Sequence, residues 1–195
     1  MLSQSVASAL REAISAGEFQ PGERLSEVKA AERFNCSRNT LRESFTRLAA
    51  ERIVERIPNR GVFLAMPDAD YIRDLFAARA AIEPAAVRWG AFADAPSLVT
   101  LTSSAFDYAA RGEHQEVSAI NQRFHRTLVA ALGSPTLNEQ MDNLLARMRL
   151  TFLLAIPRYP QLHADHIQGN ITLATLIADG KRDEAATLTY DLSLI

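Results

Sequence analysis

Ser37-Arg-Asn-Thr-Leu-Arg-Glu43, followed by Ile53-Val-Glu-Arg-Ile57, Pro58-Asn-Arg-Gly61 and Val62-Phe-Leu-Ala65, is the stretch that decides the fold. Ser37 is a helix cap by type, and Leu41, Phe45, Leu48 and Ala49 behind it repeat at threes and fours, as on a helix with one buried face. Arg38, Asn39 and Arg42 fall off that stripe and are free to reach a partner. From Ile53 the apolar period changes, and Pro58 to Gly61 supplies a turn, so the residues around it read as two short strands.

Upstream, Val6, Leu10 and Ile14 set a first helix over 4–16, with Gly17 as its stop. Pro21-Gly22 is a turn, after which Leu25-Ser-Glu27 leads into a short helix through Phe34, closed by Asn35 and Cys36. Three helices and a hairpin make a winged helix-turn-helix over residues 1–66. Pro67-Asp-Ala-Asp70 then reads as a linker, 67–70, carrying a helix cap. Residues 71–195 show no convincing strand. Their apolar periodicity runs over about 70–92, 96–111, 114–132, 135–156, 160–179 and 181–194, broken at Pro96, Gly112, Gly133, Pro157 to Pro160 and Gly180. The expectation is a mainly α chain whose second part is an antiparallel bundle of about six helices.

The net charge of −2 divides unevenly: residues 1–66 hold 10 Lys and Arg against 8 Asp and Glu, and the remainder holds 11 against 15. Arginines at 38, 42, 47, 52, 56 and 60 form a basic stripe of the kind that steers toward phosphates. Guanidinium is never neutral, and its fork matches both guanine edges and phosphate, so Arg38 and Arg42 at a helix start suit a major groove. No apolar run approaches a membrane span and the N-terminus lacks a signal-peptide layout, so the expected location is cytoplasmic, with no membrane partner. Cys36 has no Cys or His at zinc-finger spacing and reads as a small buried apolar side chain.

Glu18-Phe-Gln-Pro-Gly22, Leu25-Ser-Glu27, Ala30-Ala-Glu-Arg-Phe34, Ser37 to Glu43 and Asn59-Arg-Gly-Val-Phe63 resemble the DNA-binding domain of GntR-type bacterial transcription regulators. Downstream, Leu75-Phe-Ala-Ala-Arg-Ala-Ala-Ile-Glu-Pro84, Phe124-His-Arg-Thr-Leu128 and Asp165-His166 look like the helical FCD effector domain of the FadR subfamily. The resemblance makes Arg38 and Arg42 base or phosphate readers, Thr40 a phosphate contact and Arg60-Gly61 the wing tip. Ser37, Asn39 and Asn59 join the same contact set.

Polar residues inside apolar stripes point to a ligand pocket. Arg79 accompanies Ile72, Phe76, Ile82 and Ala86; Asn121 and His125 accompany Leu128 and Leu132; His166 accompanies Leu162, Leu173 and Ile177. Such an inward guanidinium, amide and imidazoles would welcome a small carboxylate, since burying them without partners is costly. In the metal-binding branch of the FCD resemblance, an Asp and three His hold a divalent ion such as zinc. Here His125 and His166 match two of the His positions, while Asn121 stands at the Asp position and Leu192 at the third His, so two of the four ligands are altered. His163 is a possible stand-in, and a chain cut short at Ile195 would lose a ligand. Both a metal-bound and a metal-free pocket follow from this set.

The leading expectation is a ligand-responsive regulator, a repressor binding a palindromic operator of double-stranded DNA as a homodimer and released by a small organic acid. The alternative is a metal-dependent enzyme using the helical-domain histidines. It is disfavoured because no Glu or Asp stands as an evident base beside them.

Overall fold

Ser37 does begin a helix. Its backbone is extended (φ −70°, ψ 154°), its hydroxyl accepts from the Thr40 amide at 3.1 Å, and α3 then runs Arg38–Ala50. The computed structural model describes residues 3–159 and 162–193. Before α3 come α1 (Ser3–Ser15), a strand β1 (Arg24–Leu25) and α2 (Glu27–Arg33); after it come β2 (Val54–Ile57) and β3 (Gly61–Leu64). The three strands form one antiparallel sheet in the order β1-β3-β2, with Arg24 opposite Phe63 and Val54 opposite Leu64.

β1 departs from the expected lead-in to a helix. The Leu25 side chain is buried, and the ladder continues through Glu23, whose carbonyl accepts from the Leu64 amide at 2.8 Å. A strand of two residues is too short to show alternation; its partner across the sheet defines it. Cys36 is half-buried against the core, where the sequence reading had it buried.

Six helices follow among the described residues: α4 (Ala69–Trp89), α5 (Ala95–Ala110), α6 (His114–Ala130), α7 (Pro135–Ala155), α8 (Leu162–Ala178) and α9 (Arg182–Asp191). Asp68, Asp94 and Ser134 cap α4, α5 and α7, each accepting from an amide three residues on. α4 passes through Pro84 without ending. Within the bundle α4 packs on α9 and α6, α5 on α6 and α8, and α6 on α7.

The first core does not stop at the wing. Val6, Leu10 and Ile14 of α1 meet Leu41, Phe45 and Leu48 of α3, and the same cluster takes in Tyr71 of α4 and Ala146 and Leu150 of α7. Polar bonds follow the same line. Arg11 grips Glu51 with bonds of 2.7 and 3.1 Å, and Gln122 donates to the Ser15 carbonyl at 3.2 Å. Arg147 and Arg52 both reach Oδ2 of Asp74, at 2.7 and 3.0 Å.

Candidate nucleic-acid interface and ligand cavity

The first turn of α3 is an outward-facing set. Ser37, Arg38 and Asn39 are exposed, and the Ser37 and Thr40 hydroxyls bond each other at 2.8 Å. Arg42 extends beside them, 61% exposed, while pairing with Glu27 of α2 at 3.0 Å. An ion pair this exposed holds weakly and is open to exchange. At the hairpin tip Asn59 takes φ 60° and Gly61 φ 112°, and Asn59, Arg60 and Gly61 are exposed. Arg24 lies across that tip: a Cβ on Gly61 would stand 3.4 Å from its Nε.

Two members of the expected basic stripe have other tasks. Arg56 donates to the Arg42 carbonyl at 2.6 Å and to Thr46 Oγ1 at 2.9 Å, tying β2 to α3. Arg52 turns to Asp74 and the Tyr71 ring. The stripe thus reduces to Arg38, Arg42, Arg47 and Arg60, with Arg24 added. A cation drawn to an internal acceptor cannot be told from a free one by spacing alone.

In the bundle, a cavity of about 170 Å³ brings Arg79, His125 and His166 together. Its charged centre includes a residue the sequence reading missed, Glu83. Arg79 donates to both Glu83 oxygens, at 2.7 and 3.2 Å, and His125 Nδ1 lies 3.0 Å from Oε2. Burial by itself pushes the Glu83 carboxyl up, but the charges of Arg79 and His125 and their hydrogen bonds outweigh it, holding the group well below the usual carboxylate range. The inward row on α4 is Tyr71, Leu75, Arg79 and Glu83, with Ile72, Phe76 and Ile82 only half-buried. This corrects the expected stripe, and also the expectation that no acid stands beside the histidines. The i, i+4 spacing of Arg79 and Glu83 was the signal available.

Asn121 lies elsewhere, on a smaller adjoining cavity of about 20 Å³, where its Oδ1 accepts from Asn170 at 2.7 Å. His166 and Asn170 line both cavities. His166 Nδ1 faces the Leu162 carbonyl at 2.8 Å, and its ring meets Phe152 edge-on at 4.8 Å. Arg149 of α7, also missed, is buried at the smaller cavity.

A divalent metal does not fit this set. Among the described residues no three His, Cys, Asp or Glu side chains gather as metal ligands. Arg79 Nη2 stands 3.4 Å from both His125 ring nitrogens, where its fixed positive charge opposes a cation. Asn121 Oδ1 is engaged with Asn170, and Leu192 lines the larger cavity with a side chain that offers no donor atom. The zinc set expected at Asn121, His125 and His166 is therefore not assembled, and the His163 side chain lies outside the described residues.

The profile of "Bacterial regulatory proteins, gntR family" matches residues 2–64, and that of the FCD domain matches residues 74–192. The chain is similar to the Nta operon transcriptional regulator of Aminobacter aminovorans, 29% identical over 171 residues, 86% of this chain and 80% of the relative. It is likewise 29% identical over 189 residues to the HTH-type transcriptional repressor GlaR of Escherichia coli K12, covering 89% of this chain and 84% of the relative. The galactonate operon transcriptional repressor of the same strain is 28% identical over 160 residues, 70% of this chain and 69% of the relative. Among solved structures, a transcriptional regulator GntR from Rhodococcus sp. RHA1 superposes with a TM-score of 0.81 at 29% identity, covering 98% of this chain and 93% of that one.

Proposed function

We infer, from a chain that belongs to the gntR family of bacterial regulatory proteins and carries an FCD domain, a repressor that binds a palindromic operator as a homodimer and is released by a small organic acid. The observation that carries this reading is the exposed pair Arg38 and Arg42 on the capped first turn of α3, joined through one continuous core to a bundle with a charged cavity. Arg38 and Arg42 read base edges or phosphates, while Ser37, Asn39 and Thr40 hold the backbone. Asn59, Arg60 and Gly61 carry the wing toward the minor groove, with Arg24 beside them.

A single winged helix touches few base pairs, and a second copy related by two-fold symmetry doubles the reading over two half-sites. The ligand class follows from chemistry, since buried guanidinium, imidazole and amide groups recognise a carboxylate. Galactonate, in the name of one relative, is such an acid. No helix of the described residues is long and apolar enough to cross a membrane, and we place the protein in the cytoplasm with its operator.

Selection of bound duplexes from a random pool by the full chain tests the reading. The expected product is a two-fold symmetric site whose affinity falls steeply with salt and is relieved by a small carboxylate. An unenriched pool, or binding indifferent to salt, would sink it.

A further inference from the structure

Arg149 differs from every other buried arginine of the described residues. It is 5% exposed, and although Arg147 also has a buried Nε without a partner, Arg147 bonds through Nη2 whereas no hydrogen bond or ion pair reaches any guanidinium nitrogen of Arg149. Arg147, two residues earlier, meets Asp74 at 2.7 Å, Arg79 meets Glu83 at 2.7 Å, and Arg11 meets Glu51 at 2.7 Å. Burial alone holds the Arg149 guanidinium below its usual range, with no carboxylate to offset it. A charge taken out of water without a counter-charge is among the most expensive things a fold can contain, and it calls for a partner that arrives from outside.

The surroundings say what that partner is. Arg149 lines the smaller cavity with Ser118, Asn121, Gln122, His166 and Asn170, a hydroxyl, three amides and an imidazole. The Asn121 carbonyl oxygen is taken by Asn170, which leaves the Asn121 amino group to donate. Arg79, by contrast, already faces a carboxylate: an acid approaching it meets the negative oxygens of Glu83 as well. We propose that Arg149 is the anchor for the effector, a small carboxylate whose charged end pairs with the guanidinium while its body occupies the adjoining cavity around His125 and His166. This rests on the reading of the bundle as an effector domain. The smaller cavity, about 20 Å³, holds only a water-sized group as it stands, so the acid enters by drawing Arg149 or parting the Asn121–Asn170 bond.

Movement of Arg149 is felt at the DNA-reading unit. Its guanidinium lies against Gly17, at the carboxyl end of α1, so closely that a Cβ there would stand 2.3 Å from Nη2. That helix end carries partial negative charge, which is the attraction Arg149 has in the absence of ligand, and Gln122 of the same cavity bonds the Ser15 carbonyl. An acid that competes for Arg149 therefore loosens the seat of α1, and it binds best to the arrangement in which that seat is already loose.

The test uses the full chain, with succinate, galactonate and inorganic phosphate as probes and thermal melting as readout. At least one carboxylate is expected to raise the wild-type melting temperature, to act roughly tenfold or more weaker on Arg149→Gln, and to keep part of its effect on Arg149→Lys. Without probe, Arg149→Gln is expected to melt near the wild-type temperature, because the helix-end attraction it loses is offset by relief of a buried charge that has no counter-charge. A fall of several degrees would assign Arg149 a structural role and overturn the proposal. An undiminished carboxylate response in Arg149→Gln overturns the anchor while leaving an effector domain. Stabilisation by phosphate alone, or by none of the probes, overturns the carboxylate site; the DNA-binding reading is judged separately, by duplex selection.

Discussion

In the proposed complex, Arg42 would reach a duplex by exchanging Glu27 for a guanine or a phosphate. The pair is exposed, so the exchange is nearly neutral for the fold and the gain on DNA is retained. Arg38→Ala or Arg42→Ala is expected to weaken specific binding by about 1–3 kcal/mol, with melting temperature little changed, as measured by anisotropy on the selected duplex. Glu83 is the opposite case, because its removal strands Arg79 and His125 without a counter-charge. Glu83→Gln is expected to destabilise the chain by about 3–5 kcal/mol in denaturant titration. The sign of the pH effect follows from its depressed folded-state carboxyl. The unfolded chain takes up protons first as pH falls below the ordinary value near 4.5, so the Glu83 contribution is present above that range and lost below it. Melting from about pH 5 to pH 3 should slope less steeply in Glu83→Gln than in the wild type. At this scale the sequence placed the outward-facing first turn of α3 better than the cavity. Arg38 and Arg42 needed only their own helix to be read, whereas Glu83 and Arg149 acquire meaning from other helices, or from the lack of one.

Gly17 ends α1 at φ 79°, a backbone region that a side chain strains to enter. Gly17→Ala is expected to lower stability by about 1–2 kcal/mol in denaturant titration, the penalty for a left-handed non-glycine residue, and to displace the Arg149 tip that fills the space of the missing Cβ. Most elements were legible because caps and periodicity agreed. Ser37, Asp68 and Ser134 each stand where an apolar period begins, and the side chain of each bonds an amide three residues on. Where the two signals were thin, the reading slipped. β1 is held by pairing with β3, and a two-residue run has no period to detect. On α4, apolar residues on the flank of the helix set the expected face, while the true inward row alternates ring, aliphatic, cation and anion.

Ala146 and Leu150 belong to a helix of the bundle and to the core of the winged unit at once. Leu150→Ala is expected to cost about 2–5 kcal/mol and to lower hydrogen-exchange protection in α1 and α3 as well as in α7, in a single melting transition. Loss of protection confined to α7 would show that the two parts open independently. Nothing in the periodicity of α1 or α7 announced this contact, because an apolar stripe says that a face is covered and never by what. The four residues 65–68 between β3 and α4 leave little slack, so reorientation between reading head and bundle must pass through the packed faces.

Asp74 gives that constraint a single point of application. One oxygen, Oδ2, is shared by Arg52 from the winged unit and Arg147 from α7, so two positive charges are kept side by side by one negative one. Whatever withdraws that carboxylate, whether a shifted first turn of α4 or a competing cation, turns a clasp into a repulsion between the two halves of the molecule. The packed faces between head and bundle are thus overlaid by one contact whose sign depends on charge.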